Sequence, residues 1–196
     1  MPGVEDHDES GSGIVLVIGV GNDLRGDDGA GRAVVEQVTR AAVPGVRAIW
    51  SQQLVPELVE PLATARLIVF VDATHPPAEH PDAVHPDAEH PETGNPDTAH
   101  AEARHANRPA AEAGVVVRRI EPGPPAVAGH SADPTALLGL ARLAGYPVPP
   151  AYLISVPAGE LGLGTELTPA TRDAVTAAVH AVLDLARSAP SSTSWA

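Results

Sequence analysis

An α/β fold, a three-layer sandwich of about five mostly parallel strands flanked by helices, is predicted by three features of the 196-residue sequence. Aliphatic runs such as GIVLVIGV (13–20) and RLIVFVD (66–72) lack the polar–apolar alternation of half-exposed strands and fit strands covered on both faces. Segments with apolar residues at helical spacing lie between such runs. Strand and helix alternate along the chain, the pattern of a parallel sheet with crossover helices.

The elements follow in order. Residues 13–20 form the first strand, and a polar, glycine-rich loop occupies 21–28. A helix follows, because Ala30, Val34, Val38 and Ala41 or Ala42 share one face, with an acid at its start and Pro44-Gly45 at its end. Residues 46–51 form a second, short strand. Residues 54–63 read as a helix with Pro56 in its first turn, where the missing N–H costs little. The third strand, 66–72, is apolar until it ends in Asp72. A fourth, 114–120, turns half-polar as an edge strand does. Asp133-Pro134 opens a helix with Leu137, Leu138, Ala141 and Ala144 on one side, closed by Gly145. Residues 152–156 are the fifth strand. Thr168-Pro169 caps a long helix to about Arg187, with Val175, Ala178, Val179, Val182 and Leu185 as its apolar face.

The expected organisation is therefore one domain over 13–187, between a flexible acidic tail (1–12) and a frayed C-terminal tail (188–196). A low-complexity insertion interrupts the domain at 74–113. Histidines recur there at a five-residue step (His75, His80, His85, His90, His100 and His105, with Asn95 in the series), and proline follows the first five positions of that series. Val84 is its only aliphatic side chain larger than alanine, and eight acids outnumber two arginines. Such a segment cannot bury enough apolar surface to offset the entropy of ordering, so disorder is expected.

Composition excludes several functions. The net charge of −13 disfavours nucleic acid and anionic membranes as partners. All 12 basic residues are arginine, which removes lysine Schiff-base and P-loop chemistry. The absence of cysteine removes disulfides, thiolate metal sites and cysteine nucleophiles. No apolar run reaches the roughly 20 residues that span a bilayer. The acidic N-terminus is the opposite of a cationic signal peptide, and a cytoplasmic protein is expected.

In a parallel sheet, ligands gather beyond the carboxyl ends of the strands. Three residues belong there by sequence: Asp28 after the first strand, Asp72 ending the third, and His130 in the loop before the Asp133 helix. Two carboxylates and an imidazole can hold a divalent transition metal with positions left open, and an open metal site can activate water. Each also has a purely structural reading: Asp28 as a helix cap, Asp72 as a strand-end acceptor of a backbone N–H, His130 as an ordinary loop residue. Gly19 and Gly21 open a dinucleotide-binding fingerprint, but Leu24 stands where its third glycine belongs and the second strand ends in Ser51-Gln52 rather than an acid. Ser10, Ser12, Ser51, Ser131 and Ser155 all lie outside a G-x-S-x-G elbow.

Three blocks resemble hydrogenase maturation endopeptidases: GVGNDLRGDDGAGRAVVE (19–36), LIVFVDA (67–73) and GHSADPTALLGLA (129–141). The first is close to that family's opening signature, G-x-G-N-x-x-x-x-D-[DE]-G-x-G. The resemblance implies removal of a C-terminal peptide from the large-subunit precursor of a nickel–iron hydrogenase, after nickel is loaded. It also implies metal contact by Asp28, Asp72 and His130, the nickel arriving with the precursor; Asn22 and Asp27 are expected to shape the loop. Where some members carry Glu, this chain has the shorter Asp28, and SQQLVPELVE (51–60) resembles the branch with a Q-L-x-P-E-L pattern. The alternative is a non-catalytic nickel-binding accessory protein that works through the histidine insertion, which otherwise reads as repeat expansion in a tolerant loop.

Overall fold

The computed structural model describes residues 13–74, 113–125 and 133–189. Five strands form one sheet: β1 (Ile14–Val20), β2 (Val46–Ser51), β3 (Ala65–Thr74), β4 (Val116–Ile120) and β5 (Ala151–Pro157). Their spatial order is β2-β1-β3-β5-β4, parallel throughout except for β4, which runs antiparallel along β5. Four α-helices complete the described fold: α1 (Ala30–Ala41), α2 (Val59–Ala63), α3 (Pro134–Leu143) and α4 (Pro169–Ser188).

The alternation of side chains along each strand divides the core into two layers. Val15 and Val17 of β1, Val69 and Val71 of β3, and Ile154 and Val156 of β5 pack with α1 and α4. Leu16, Ile18, Ile68 and Phe70 point the other way, into the layer that holds Leu62 of α2 and Leu138 of α3. Hence β1 and β3 need aliphatic residues at every central position, and the sequence supplies them. The edge strands β2 and β4 are mostly half-buried or exposed, as the half-polar sequence of the latter requires.

Several boundaries differ from expectation, and three of the differences have a clear physical reason. β3 continues past Asp72 to Thr74, because Asp72, Ala73 and Thr74 pair with Ser155, Val156 and Pro157 of β5. The single helix expected over 54–63 is instead a 3-10 turn (Pro56–Leu58) followed by α2. Pro61 has no N–H to return to the preceding turn, so it fits only near the start of a helix and breaks a longer one. Ala144, expected on the buried face of α3, caps that helix and is exposed.

The chain leaves β1 toward β2 on one side and returns through α2 to β3 on the other. The crevice between the carboxyl ends of β1 and β3 is thus the switch point at which a doubly wound sheet receives ligands.

Candidate functional site

Residues 21–29 connect β1 to α1 across that crevice. Gly21 has φ +130°, and a Cβ there would lie 2.0 Å from the Asp28 carbonyl oxygen. The loop closes on itself: the Asn22 N–H donates to Asp28 Oδ2 at 3.0 Å, and Asn22 Oδ1 accepts from the Leu24 N–H at 3.0 Å. From outside, Trp50 at the end of β2 donates its indole N–H to the Gly21 carbonyl at 3.1 Å. The same Trp50 carries the Arg32 guanidinium 5.2 Å from its ring centroid, and Arg32 pairs with Asp23 and Glu36.

The helix-cap reading of Asp28 does not hold. The N-cap position of α1 is Gly29, which has no side chain to cap with, and the Asp28 carboxylate turns back to Asn22.

A glycine contact seats α1 on the sheet. A Cβ on Gly31 would lie 2.2 Å from the Val20 carbonyl oxygen and 3.0 Å from that of Val71, and one on Gly19 would lie 2.2 Å from the Gly31 oxygen. Only bare backbone permits this approach. It brings Asp28, two residues before α1, toward Asp72, the residue just after Val71. Both carboxylates are half-buried. Burial, opposed by the Ala73 backbone N–H and assisted by the charge of Asp28, raises the Asp72 carboxyl to about 6. The expected strand-end reading of Asp72, as acceptor of a backbone N–H, accounts only for the opposing part of this shift.

Asp27 is built differently. It is 0 % exposed, and both its oxygens are engaged. Oδ2 accepts from the N–H of Gly159 (2.9 Å), the N–H of Glu160 (3.0 Å) and the hydroxyl of Thr168 (3.0 Å), while Oδ1 accepts from the Thr168 N–H at 2.7 Å. Burial alone would raise this carboxyl; the hydrogen bonds from Thr168, Glu160 and Gly159 outweigh it and hold the group below the ordinary range. Backbone bonds tie the same two loops together: Gly26 N–H to Gly164 O (2.8 Å), Asp27 N–H to Glu160 O (2.9 Å) and Gly164 N–H to Leu24 O (3.0 Å).

The structure thus brings Asp28 and Asp72 together. His130 lies outside the described residues, as does the histidine insertion from 75 to 112, and among the described residues no group of three metal-ligating side chains forms. Ser155 sits within β5 opposite Asp72, and Ser51 donates to the Gln53 carbonyl at 2.6 Å. Sequence reasoning missed Trp50 as a brace for the loop and Thr168 as the partner of Asp27. An indole at a strand end and the D-D pair were visible, but their partners lie far along the chain. Beside the loop, Asp23, Arg32, Glu36 and Leu167 line a groove of about 370 Å³. No described helix is long and apolar enough to cross a membrane.

No family model matches the sequence, and no curated protein matches it. Solved structures do share its fold. The hydrogenase maturating endopeptidase HybD from E. coli superposes with a TM-score of 0.60 at 20 % identity, over 89 % of this chain and 92 % of that one. A hydrogenase 2 maturation peptidase from a Thaumarchaeota archaeon gives 0.53 at 22 %, over 87 % and 96 %. The [NiFe] hydrogenase maturation protease HybD from Thermococcus kodakarensis gives 0.54 at 20 %, over 88 % and 99 %. The chain has the fold of the hydrogenase maturation endopeptidases, the fold that its opening signature led us to expect.

Proposed function

We propose that this protein is an endopeptidase that removes a C-terminal peptide from the nickel-loaded large-subunit precursor of a nickel–iron hydrogenase, in the cytoplasm. The observation that carries this reading is the meeting of Asp28 and Asp72 at the switch point of a fold shared with such enzymes. The nickel is cargo of the substrate. Two carboxylates close enough for one charge to disfavour the other are a donor set whose repulsion an incoming dication relieves, and His130 would add an imidazole, a ligand that suits nickel.

In this reading Asp28, Asp72 and His130 occupy coordination positions that the precursor leaves open, and so place the scissile bond beside the two carboxylates. Bound nickel supplies Lewis-acid polarisation there. An ionised carboxylate within hydrogen-bond reach of water accepts its proton as the water attacks the peptide carbonyl. Selectivity follows from differential binding, because an unloaded precursor offers these side chains nothing to grip. Co-expression with the precursor tests the assignment: wild-type protein shortens the large subunit, whereas Asp28→Ala, Asp72→Ala and His130→Ala proteins of wild-type stability leave it full-length. Complete processing by the Asp72→Ala or His130→Ala protein rejects it.

A further inference from the structure

Asp27 sits next to the proposed ligand Asp28, yet all the hydrogen bonds of its carboxylate go to another part of the chain. Its four donors come from Gly159, Glu160 and Thr168, in the segment that links β5 to α4 and at the cap of α4. A carboxylate that is fully buried and accepts four hydrogen bonds has little left for a ligand. It can, however, fix where its neighbour stands. Asp28 itself is held locally: its carboxylate accepts from the Asn22 N–H, and its own N–H donates to the Arg25 carbonyl at 3.2 Å. Residues 21–29 form a loop closed on itself, tied to the body of the protein through the Asp27 carboxylate, the Asp27–Glu160, Gly26–Gly164 and Leu24–Gly164 backbone bonds, the Arg32–Asp23 pair and Trp50.

We propose that Asp27 is a positioning residue that acts through Asp28: its carboxylate clamps the opening loop to the 159–168 segment and thereby sets the place of Asp28 relative to Asp72. This rests on the protease reading for its catalytic consequence but not for its structural one. Asp27→Asn tests it well. The amide keeps an oxygen for one set of donors but turns an NH2 toward the other, so either the Thr168 N–H or the set of Gly159, Glu160 and the Thr168 hydroxyl is left facing a donor.

The amide of Asn22 is the reporter, because its protection depends on where Asp28 stands. In Asp27→Asn protein, Asn22 exchanges its amide hydrogen at least about 10-fold faster than in wild type, while the amides of Val17 and Phe70 in the core keep their wild-type protection. Precursor processing loses kcat by about 10- to 100-fold with KM within about 3-fold, as displacement of a reacting group demands. Thr168→Val, which removes the hydroxyl donor to Asp27 Oδ2 together with the cap that the same oxygen gives to the Thr171 N–H, loosens the Asn22 amide in the same way at smaller size, and Thr168→Ser, which keeps both, does not; read at Asn22, this pair decides the matter should Asp27→Asn fail to fold. Wild-type protection at Asn22 alongside loosened Gly159 and Glu160 amides overturns the proposal and leaves Asp27 a staple only. So does an unchanged kcat in a variant whose Asn22 amide is loosened. Should wild-type protein process no precursor, the protease reading fails, while the exchange at Asn22 still decides whether Asp27 positions Asp28.

Discussion

Asp27 and Asp72 are both shielded carboxylates whose surroundings drive them in opposite directions, and pH separates them. Asp72 is raised to about 6 in the folded protein by burial and by the charge of Asp28, above its value in the unfolded chain. The folded state therefore binds more protons between about 4 and 6, so stability falls as pH rises through that window, and the cost is complete above it. Asp72→Asn should be roughly 1–3 kcal/mol more stable than wild type at pH 7.5, with the difference gone near pH 4, measured by urea unfolding across pH. Asp27 is held below its usual value, so its contribution is present above about pH 4 and is lost as pH falls through the folded value. Asp27→Asn should lose about 2–4 kcal/mol at neutral pH, because buried donors lose their acceptor, and its deficit should narrow in acid. Asp28 and Asp72 were legible as candidates because topology alone places strand-end loops at one rim. The occupation of Asp27 was not, since its donors lie more than 130 residues away and no local pattern announces them.

Elements obey the same division between local and remote causes. The Asp133-Pro134 start of α3 was readable because a cap acts on its own turn, and Asp133 does accept from the Thr135 N–H at 2.9 Å. Replacing it with alanine should cost about 1 kcal/mol, and Asp133→Asn should recover most of that loss in thermal unfolding. The extension of β3 to Thr74 was not readable, because it depends on β5 offering Ser155 to Pro157 as partners. Likewise the spacing of apolar residues suggested one helix over 54–63, and the second proline, Pro61, overrode it. The seating of α1 on β1 and β3 is the element-level fact on which the site depends. Gly31→Ala places a methyl 2.2 Å from the Val20 oxygen, a contact that α1 can relieve only by moving away from the sheet. The expected result is a loss of roughly 3 kcal/mol or more in denaturant unfolding, together with a lower Asp72 pKa as Asp28 withdraws, followed by carboxyl NMR.

At the scale of the molecule, the topology gathers at one rim the loop after β1, the end of β3 and the start of β4. Thr74 pairs with Pro157 and Val116 with Ser155, so the chain leaves β3 and enters β4 near one end of β5, on its two sides. Two strand spacings are about 10 Å, a gap that about six residues bridge easily. Replacing 75–112 by six Gly/Ser residues should therefore leave the melting temperature within about 5 °C of wild type, as calorimetry would show, since lengthening or shortening a loop costs little. It should also leave precursor processing intact; loss of nickel binding and of function together, in a folded protein, would favour the accessory-protein alternative. The α/β class, the strand count and the edge place of β4 were all visible in the sequence, because burial on one or both faces is written into composition; that β4 runs antiparallel was not. The order of the strands and the pairing of loops across the rim were not, because they are decided by contacts between distant segments. One measurement reaches the centre of this account: purified protein is incubated with nickel-loaded and with nickel-free precursor, and the intact mass of the large subunit is recorded. A shortened product from the loaded precursor alone, absent with Asp72→Ala protein, is the predicted result. Equal cleavage of both precursors, or cleavage of neither by correctly folded wild-type protein, would contradict it.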